Sequence, residues 1–357
     1  MRILIVSTEY VNLSVSNRRG GGIARVVFEA AEEMKKRGVE VDICSPEGPQ
    51  IVIPTTGLPA RVGLLFFWQK AMKKLRSVEG DYDAIWLHNP ILLRRYVMKK
   101  PMVVTVHSTT LGKNRQFRSL FFTAYVAIFS VLELWSNRAV RRSDLEVTCV
   151  SNSVYNELVN IKPEKKSIVR NGSMFPIVMK SVPRTPVPGS VRFLSVGRVD
   201  KIKNPDRIIR LYQSISKEVD GCSLTIIGDG PEYSRLVSEN KDGSIVFKGF
   251  VNHDDLLPFY DDAEFFIMAS QYEGCPLTLL DGVNRGLKCI VPNIPSLTFV
   301  EEMDLGICFD YDSDELASKQ LIEYVKQNAG KPRENRVDFT WKPAVDTLLS
   351  LFSGKKG

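Results

Sequence analysis

Short apolar runs alternate with amphipathic stretches along most of the 357-residue chain. Met1–Ser7 holds the run Ile-Leu-Ile-Val, the unbroken kind that suits a parallel strand covered on both faces. A polar loop and three glycines, Gly20 to Gly22, follow. Apolar positions at Val26, Val27, Ala30, Ala31 and Met34 then recur with helical spacing until Gly38. Val39–Cys44 is the next expected strand, so the opening is a βαβ unit. The backbone amides of its Gly-rich turn can approach a phosphate. Three consecutive glycines are not the G-x-G-x-x-G fingerprint, so a dinucleotide site is not indicated.

Strands are further expected at Ala84–Leu87, Met102–Val106 and Glu146–Val150, alternating with helical patterns as in a doubly wound sheet. A proline-rich stretch, Lys180–Ser190, then interrupts the pattern like a stiff linker. The same grammar restarts beyond it. Strands are expected at Val191–Val196, Ser223–Ile227, Ser244–Phe247, Ala263–Met268, Cys289–Val291 and Gly306–Phe309. Helices are expected at Pro205–Ile215, Glu232–Val237 and Asp254–Tyr260, and a short amphipathic one at Lys342–Phe352. The reading is an α/β protein of two Rossmann-like domains, 1–178 and 191–335, joined by a linker at 179–190. A C-terminal helix in 336–357 could pack back on the first domain.

Composition adds little to the fold and more to the surroundings. A chain that is 44% apolar and 25% charged is an ordinary globular protein. The six cysteines include no C-x-x-C pair, so neither a zinc site nor a disulfide framework is indicated, and most read as small buried apolar residues. The apolar run at the N-terminus is too short for a signal-peptide core, and the expected location is the cytoplasm. The net charge of +7 is uneven: residues 1–178 hold 26 Lys/Arg against 15 Asp/Glu, whereas the remainder holds 22 against 26. A basic front half suggests a polyanionic neighbour, although a merely soluble charged surface has the same composition. Leu120–Leu132 carries no charge but spans only 13 residues, short of the ~20 that cross a bilayer. With cations on both sides, it reads as a buried helix of the sheet fold or as one whose aromatic face rests on a membrane. Nucleic acid is not expected, because no compact basic run with interleaved aromatics occurs.

The candidate chemistry centres on Glu273-Gly-Cys-Pro-Leu-Thr-Leu-Leu-Asp281. The Gly-x-Pro breaks the backbone after Glu273 and leaves that carboxylate on a loop at the mouth of a helix. Asp281 falls about two turns further on. A helix cap plus a solvated acid would look the same in isolation. Arg198 and Lys203 follow an expected strand: a guanidinium can fork two phosphate oxygens and an ammonium can add a point charge. His88 and His107 stand at carboxyl ends of strands, where open α/β sheets bind ligands, though either could simply bond a carbonyl. Two D-x-D strings, Asp81 to Asp83 and Asp310 to Asp312, read as caps or surface acids, and no metal site is expected.

In this order the motifs resemble those of the GT-B glycosyltransferases, specifically the retaining family 4 group that uses nucleotide sugars. Ser195-Val-Gly-Arg198 with Lys203-Asn-Pro205 resembles that family's Gly-Arg…Lys segment. Leu224 to Pro231 resembles its Gly-x-Gly-Pro turn, and Val246 to Val251 the strand that follows. Glu273 to Asp281 is similar to its Glu-x7-Glu motif, and Ile168 to Gly172 to its Asn-Gly turn. In the first half, Gly20 to Gly22 and Val104 to His107 carry the match. The resemblance implies two domains facing a cleft. It places Glu273 and His107 at the transferred sugar, with His107 near its 6-position. Arg198, Lys203, Gly21 and Gly22 would bind the donor diphosphate, and Asp281, Gly230 and Asn171 the ribose and nucleotide. The family has Glu where this chain has Asp281, one methylene shorter.

The implied function is retaining transfer of a hexose from a UDP- or GDP-linked sugar to a lipid-linked, polysaccharide or other glycan acceptor. No cofactor or metal is expected. An anionic membrane surface at the inner face of the membrane is a candidate neighbour. Two alternatives stay open: a non-hydrolysing sugar-nucleotide epimerase, and a non-catalytic nucleotide-sugar or membrane-binding module on the same fold.

Overall fold

The computed structural model describes residues 1–10, 21–55, 60–110, 112, 120–178, 189–332 and 337–354, with 60–61 and 120–129 described by backbone alone. Gly20 and most of the expected linker, 179–188, lie outside the described residues. The chain divides into two compact units, Met1–Gly172 with Trp341–Gly357, and Ser173–Thr340.

The first unit is built on β1 (Arg2–Val6), β2 (Glu40–Ser45), β3 (Ile51–Val52), β4 (Ala84–His88), β5 (Met102–Val106), β6 (Glu146–Cys149) and β7 (Lys166–Ile168). These form one sheet in the order β3-β2-β1-β4-β5-β6-β7, parallel throughout. Its helices are α1 (Gly22–Lys36), α2 (Ala60–Val78), α3 (Leu120–Arg142) and α4 (Asn152–Glu157). Ile3 to Val6 pair with β2 on one side and β4 on the other and are fully buried, which is why β1 is unbroken in its hydrophobicity. Gly38 closes α1 at φ +76°, a conformation open to glycine, and its amide bonds the carbonyl of Lys35 at 2.9 Å.

The second unit is built on β8 (Val191–Val196), β9 (Cys222–Ile227), β10 (Ile245–Gly249), β11 (Phe265–Ile267), β12 (Lys288–Pro292) and β13 (Gly306–Phe309). The order is β10-β9-β8-β11-β12-β13, again parallel. Its helices are α5 (Pro205–Ser216), α6 (Tyr233–Glu239), α7 (Leu257–Asp262), α8 (Leu277–Asn284), α9 (Phe299–Glu302) and α10 (Asp314–Asn328). Phe193 and Phe265 stack at 5.2 Å in its core, and the Tyr212 hydroxyl donates to the carbonyl of Cys222 at 2.9 Å. In both sheets the connection reverses direction between the first and fourth strands, β1/β4 and β8/β11. Crevices at such reversals are where doubly wound sheets bind ligands.

The last helix, α11 (Trp341–Phe352), belongs to the first unit. The indole of buried Trp341 donates to Glu29 on α1 at 2.6 Å, and Phe352 meets Trp86 edge-on at 6.1 Å. Arg37 ties the same two helices through Asp346 and the carbonyl of Lys342. The packing also explains the Asn-Gly turn, because a β-carbon at Gly172 would lie 2.5 Å from the Trp341 Cα. The unit borders fall at 172/173 and 340/341, where the chain crosses, whereas the borders expected from composition were 178/179 and 335/336.

Two further details differ from the sequence reading. The helix expected over 254–260 is a 3-10 turn at His253–Asp255 followed by α7, whose first turn holds Pro258, which has no N–H to continue an earlier helix. Strands β3 and β7 are two and three residues long, too short for any periodicity to mark. Asp310 serves as a turn acid, accepting from the amides of Asp312 at 2.8 Å and Ser313 at 2.7 Å. Among the described residues no helix is long and apolar enough to cross a membrane.

Glu29 is 1% exposed and bonds both Trp341 and Arg25, the latter at 2.5 Å. Its replacement by leucine leaves a guanidinium and an indole N–H without their acceptor. A loss of about 3–5 kcal/mol in the first unit is expected, read as a fall in the transition that follows Trp341 emission; an unchanged midpoint would refute this role.

Candidate active site

The second unit gathers the expected cations and acids at the β8/β11 reversal. Val196 ends β8 and the chain passes through Gly197, Arg198, Val199 and Asp200 before Pro205 opens α5. Backbone bonds clamp this loop to the one after β9: Gly197 N to Ile227 O, and Val199 N to Asp229 O, both 3.0 Å. Any β-carbon at Gly228 would overlap the Gly197 carbonyl oxygen, and one at Gly230 the Val199 carbonyl oxygen. Gly228 also sits at φ +137°, so glycine is required there twice over. The Gly-x-Gly-Pro turn is therefore a packing device that sets the Arg198 loop.

Asp200 holds the loop from within. It is buried, its Oδ1 accepts from the amides of Ile202 and Lys203 at 3.0 Å, and its Oδ2 pairs with Arg198. The Arg198 side chain remains 72% exposed, so most of its five donors face outward. Lys203 Nζ meets Glu273 Oε1 at 2.5 Å, with Glu273 buried. The loop carrying Glu273 is fastened by the Gln271 amide to the carbonyl of Ile202 at 2.8 Å. A cleft of about 370 Å³, measured out to open solvent, lies here between Gly197, Arg198, Lys203, Ser270 and Thr278. Buried Ser270 Oγ has no partner among the described residues.

Glu273 stands on a loop before α8, with Pro276 at the helix entrance. Asp281, one turn inside α8, is fully buried, and its Oδ1 accepts from the Ser173 hydroxyl at 2.5 Å. The two acids of the motif thus occupy different surroundings: Glu273 on a cation beside the cleft, Asp281 on a hydroxyl in the interior.

In the first unit, Gly21 caps α1 and Gly22 begins it, and a β-carbon on Gly21 would overlap the carboxylate of Glu9. Asn171 is buried just before the Gly172 crossing. His107 follows β5, its amide bonds Asn89 Oδ1 at 2.8 Å, and its Nε2 lies 2.8 Å from Nδ1 of His88. Both rings are buried, and burial pushes His107 down to about 4 and His88 well below the ordinary 6.5, with the neighbouring His107 lowering His88 further. Two neutral rings share this contact, so one donates and one accepts. His88 Nε2 has no partner among the described residues, and a bare lone pair is less costly there than a buried N–H. The proton therefore belongs on His88 Nδ1, which leaves His107 with its own proton on Nδ1, as a donor.

Two family models match the chain, one described as glycosyl transferases group 1 over residues 184–340 and one as glycosyltransferase family 4 over residues 20–173. The chain belongs to the group 1 glycosyltransferases. It is 27% identical over 343 residues to glycogen synthase of Mycobacterium tuberculosis, covering 83% of this chain and 79% of that protein. It is 24% identical to an Escherichia coli UDP-Gal:alpha-D-GlcNAc-diphosphoundecaprenol alpha-1,3-galactosyltransferase, over 76% of each. Among solved structures it is similar to sucrose-phosphate synthase from Thermosynechococcus elongatus, with a TM-score of 0.75 at 17% identity over 99% of this chain and 98% of that one. WaaG, a glycosyltransferase involved in lipopolysaccharide biosynthesis, follows at 0.69 and 15%, over 99% and 98%. The fold of this glycosyltransferase is thus GT-B, two Rossmann-like parallel-sheet units.

Sequence reading of the glycosyltransferase did not single out Asp200, Ser173 or Ser270. Asp200 carried a usable signal, since an Asp two and three residues ahead of amides is an Asx turn. Ser173 and Ser270 carried none, because each matters only through a residue distant in sequence.

The buried histidines make a pH prediction for the glycosyltransferase. With His107 depressed to about 4, the unfolded chain binds more protons than the folded one between roughly 6.5 and 4. Stability is therefore complete above 6.5 and falls with acidification, by up to about 1.4 kcal/mol per pH unit for each histidine. Denaturant midpoints across that window should show the slope, and H107Q should make it shallower while His88 keeps part of it; a wild-type curve flat to pH 4 would contradict the assignment.

Proposed function

We propose that this glycosyltransferase moves a hexose, with retention of anomeric configuration, from a UDP-sugar to a lipid-linked or polysaccharide acceptor. The observation that carries the reading is the Lys203–Glu273 pair beside an outward Arg198 at the β8/β11 reversal. Arg198 and Lys203 supply donors for a diphosphate whose charge grows as the glycosidic bond breaks. One Lys203 donor is already spent on Glu273, so Glu273 is drawn next to the leaving group and faces the transferred sugar. The acceptor hydroxyl forms its bond to the anomeric carbon as the carbon–phosphate oxygen bond breaks, and its proton passes to the departing phosphate. Gly21 and Gly22 add backbone donors, and His107 Nδ1–H donates to a sugar hydroxyl. Gly230 and Asn171 stand at the nucleotide, and Asp281 takes the ribose hydroxyls. For that last role the Ser173 hydroxyl has to yield, because Asp281 is fully buried.

UDP is favoured over GDP by the relatives. The galactosyltransferase is named for UDP-Gal, and similar structures include Anabaena HepE with UDP and glucose and pneumococcal GtfA with UDP and GlcNAc. A lipid-linked acceptor is supported by the diphosphoundecaprenol acceptor of that galactosyltransferase and by the lipopolysaccharide role of WaaG. The cationic pair meets the diphosphate charge, so turnover is expected to persist in EDTA.

A panel of UDP- and GDP-sugars with glycan and lipid-linked acceptors tests the reading, the product anomer being read by NMR. Turnover with a UDP-hexose and a retained anomer is expected. Inversion, or conversion of the donor alone to its epimer, would overturn it. Glu273→Gln should lower kcat by about 10²–10³-fold while the fold persists. Asp281→Asn should raise the KM for the donor about tenfold by weakening two ribose hydrogen bonds.

A further inference from the structure

Almost every described arginine outside one region of the first unit has an acid beside it. Arg2, Arg25, Arg37, Arg192, Arg210 and Arg235 each lie within 4.0 Å of a carboxylate. Arg94, Arg95, Arg138, Arg141 and Arg142 are exposed and form no such pair among the described residues. They fall in a stretch, Ala84 to Arg142, that contains ten Lys/Arg and a single acid, Glu133. That acid is engaged by the Thr110 amide at 2.5 Å.

Three of these cations, Arg138, Arg141 and Arg142, share one face of α3. Residues 90–96 lie along α3, fastened by two buried helix serines: Ser136 Oγ accepts from the Leu92 amide at 2.9 Å and donates to the Pro90 carbonyl at 3.0 Å, and Ser143 Oγ accepts from the Tyr96 amide at 2.9 Å. Tyr96 is held between the guanidinium groups of Arg76 and Arg94, each 5.5 Å from its ring. Ser136 and Ser143 lie on the buried side of α3 with Ala139 and Val140, so this docking leaves the opposite, outer face of the helix uncovered by residues 90–96. On that face Val131, Leu134 and Trp135 are 60%, 52% and 61% exposed, at positions i, i+3 and i+4. Arg138, Arg141 and Arg142 continue the same stripe one to two turns on. A helix face that is apolar at one end, arginine-rich at the other and free of acids is unsuited to water and to a neutral partner.

We propose that this face, the outer side of α3, docks on an anionic phospholipid surface. Trp135, Leu134 and Val131 enter the headgroup layer, where an indole suits the boundary between apolar chains and water. The arginines pair with lipid phosphates, for which their planar forks are fitted. An acidic protein or a soluble polyanion would meet the arginines but would leave the three exposed apolar side chains unsatisfied. The inference deepens the lipid-linked acceptor reading and rests on it for its purpose, since such an acceptor resides in that surface.

The tryptophans provide the test. Trp68, Trp86 and Trp341 are buried, so Trp135 is the exposed one of the four. Vesicles of brominated phosphatidylglycerol should bind the full-length protein and quench Trp135 emission, and W135F should abolish that quenching. Neutral phosphatidylcholine vesicles should bind far less. R138Q/R141Q/R142Q should weaken partition onto anionic vesicles about a hundred-fold, and raising salt from 0.1 to 1 M should weaken the wild type in the same direction. Equal binding to both vesicle types, bound protein without Trp135 quenching, or binding to soluble polyphosphate but not to vesicles would overturn the proposal. Turnover of a UDP-sugar with a soluble acceptor, measured on the same variants, should be unchanged and reports separately on the transferase reading.

Discussion

The site of the second unit depends on a close approach of two backbones: the turn after β9 presses on the turn after β8, with Gly228 and Gly230 against the carbonyls of Gly197 and Val199. Any side chain at either glycine would drive the loops apart. Their contact lets Asp200 fold beneath the loop and bind the amides of Ile202 and Lys203, which aims Lys203 at Glu273. The ion pair is therefore a product of main-chain packing at a sheet reversal, and the exposed Arg198 is its outward-facing consequence. Parallel strands impose this arrangement, because each crossover returns the chain to the same edge and brings every β-to-α turn to one end of the sheet.

The first unit solves a different problem. Its interior contains polar side chains that find one another across strands: Trp86 with Thr105 at 2.6 Å, Thr105 with Thr148 at 2.7 Å, and His88 with His107 at 2.8 Å. Buried polar groups are tolerable only when so paired. The His pair has a further result, because the ring with the orphaned nitrogen dictates which proton the other ring can offer. Glu29 plays a comparable part at the far end of the chain, gathering Arg25 and the indole of Trp341 so that α11 closes the unit.

Legibility followed the range of the interactions involved. The strands were readable because a parallel strand buried on both faces must be apolar throughout, as Ile3 to Val6 and Phe265 to Ile267 are. Two-residue β3 was not, since two residues have no period. Glu273, Arg198 and Lys203 were visible as residue types on turns after strands, and resemblance to a family supplied the roles expected of them. Asp200 was visible in principle as an Asx turn. The borders of the compact units had no such local sign, because prolines mark where a chain is stiff, whereas these borders lie where the chain crosses, at Gly172 and Trp341.

By itself, then, the sequence determined what depends on residue type and short spacing: two parallel α/β units, the glycines of the β8 and β9 turns, and an acid on a loop before a helix with a second acid inside it. Only the tertiary structure decided which groups meet across long separations. It joined Lys203 to Glu273, sank Asp281 against Ser173, paired His88 with His107, and laid residues 90–96 along α3. The reason is physical. Local propensity acts over a few residues, whereas charge pairing, desolvation and burial act on neighbours in space, which the order of strands selects.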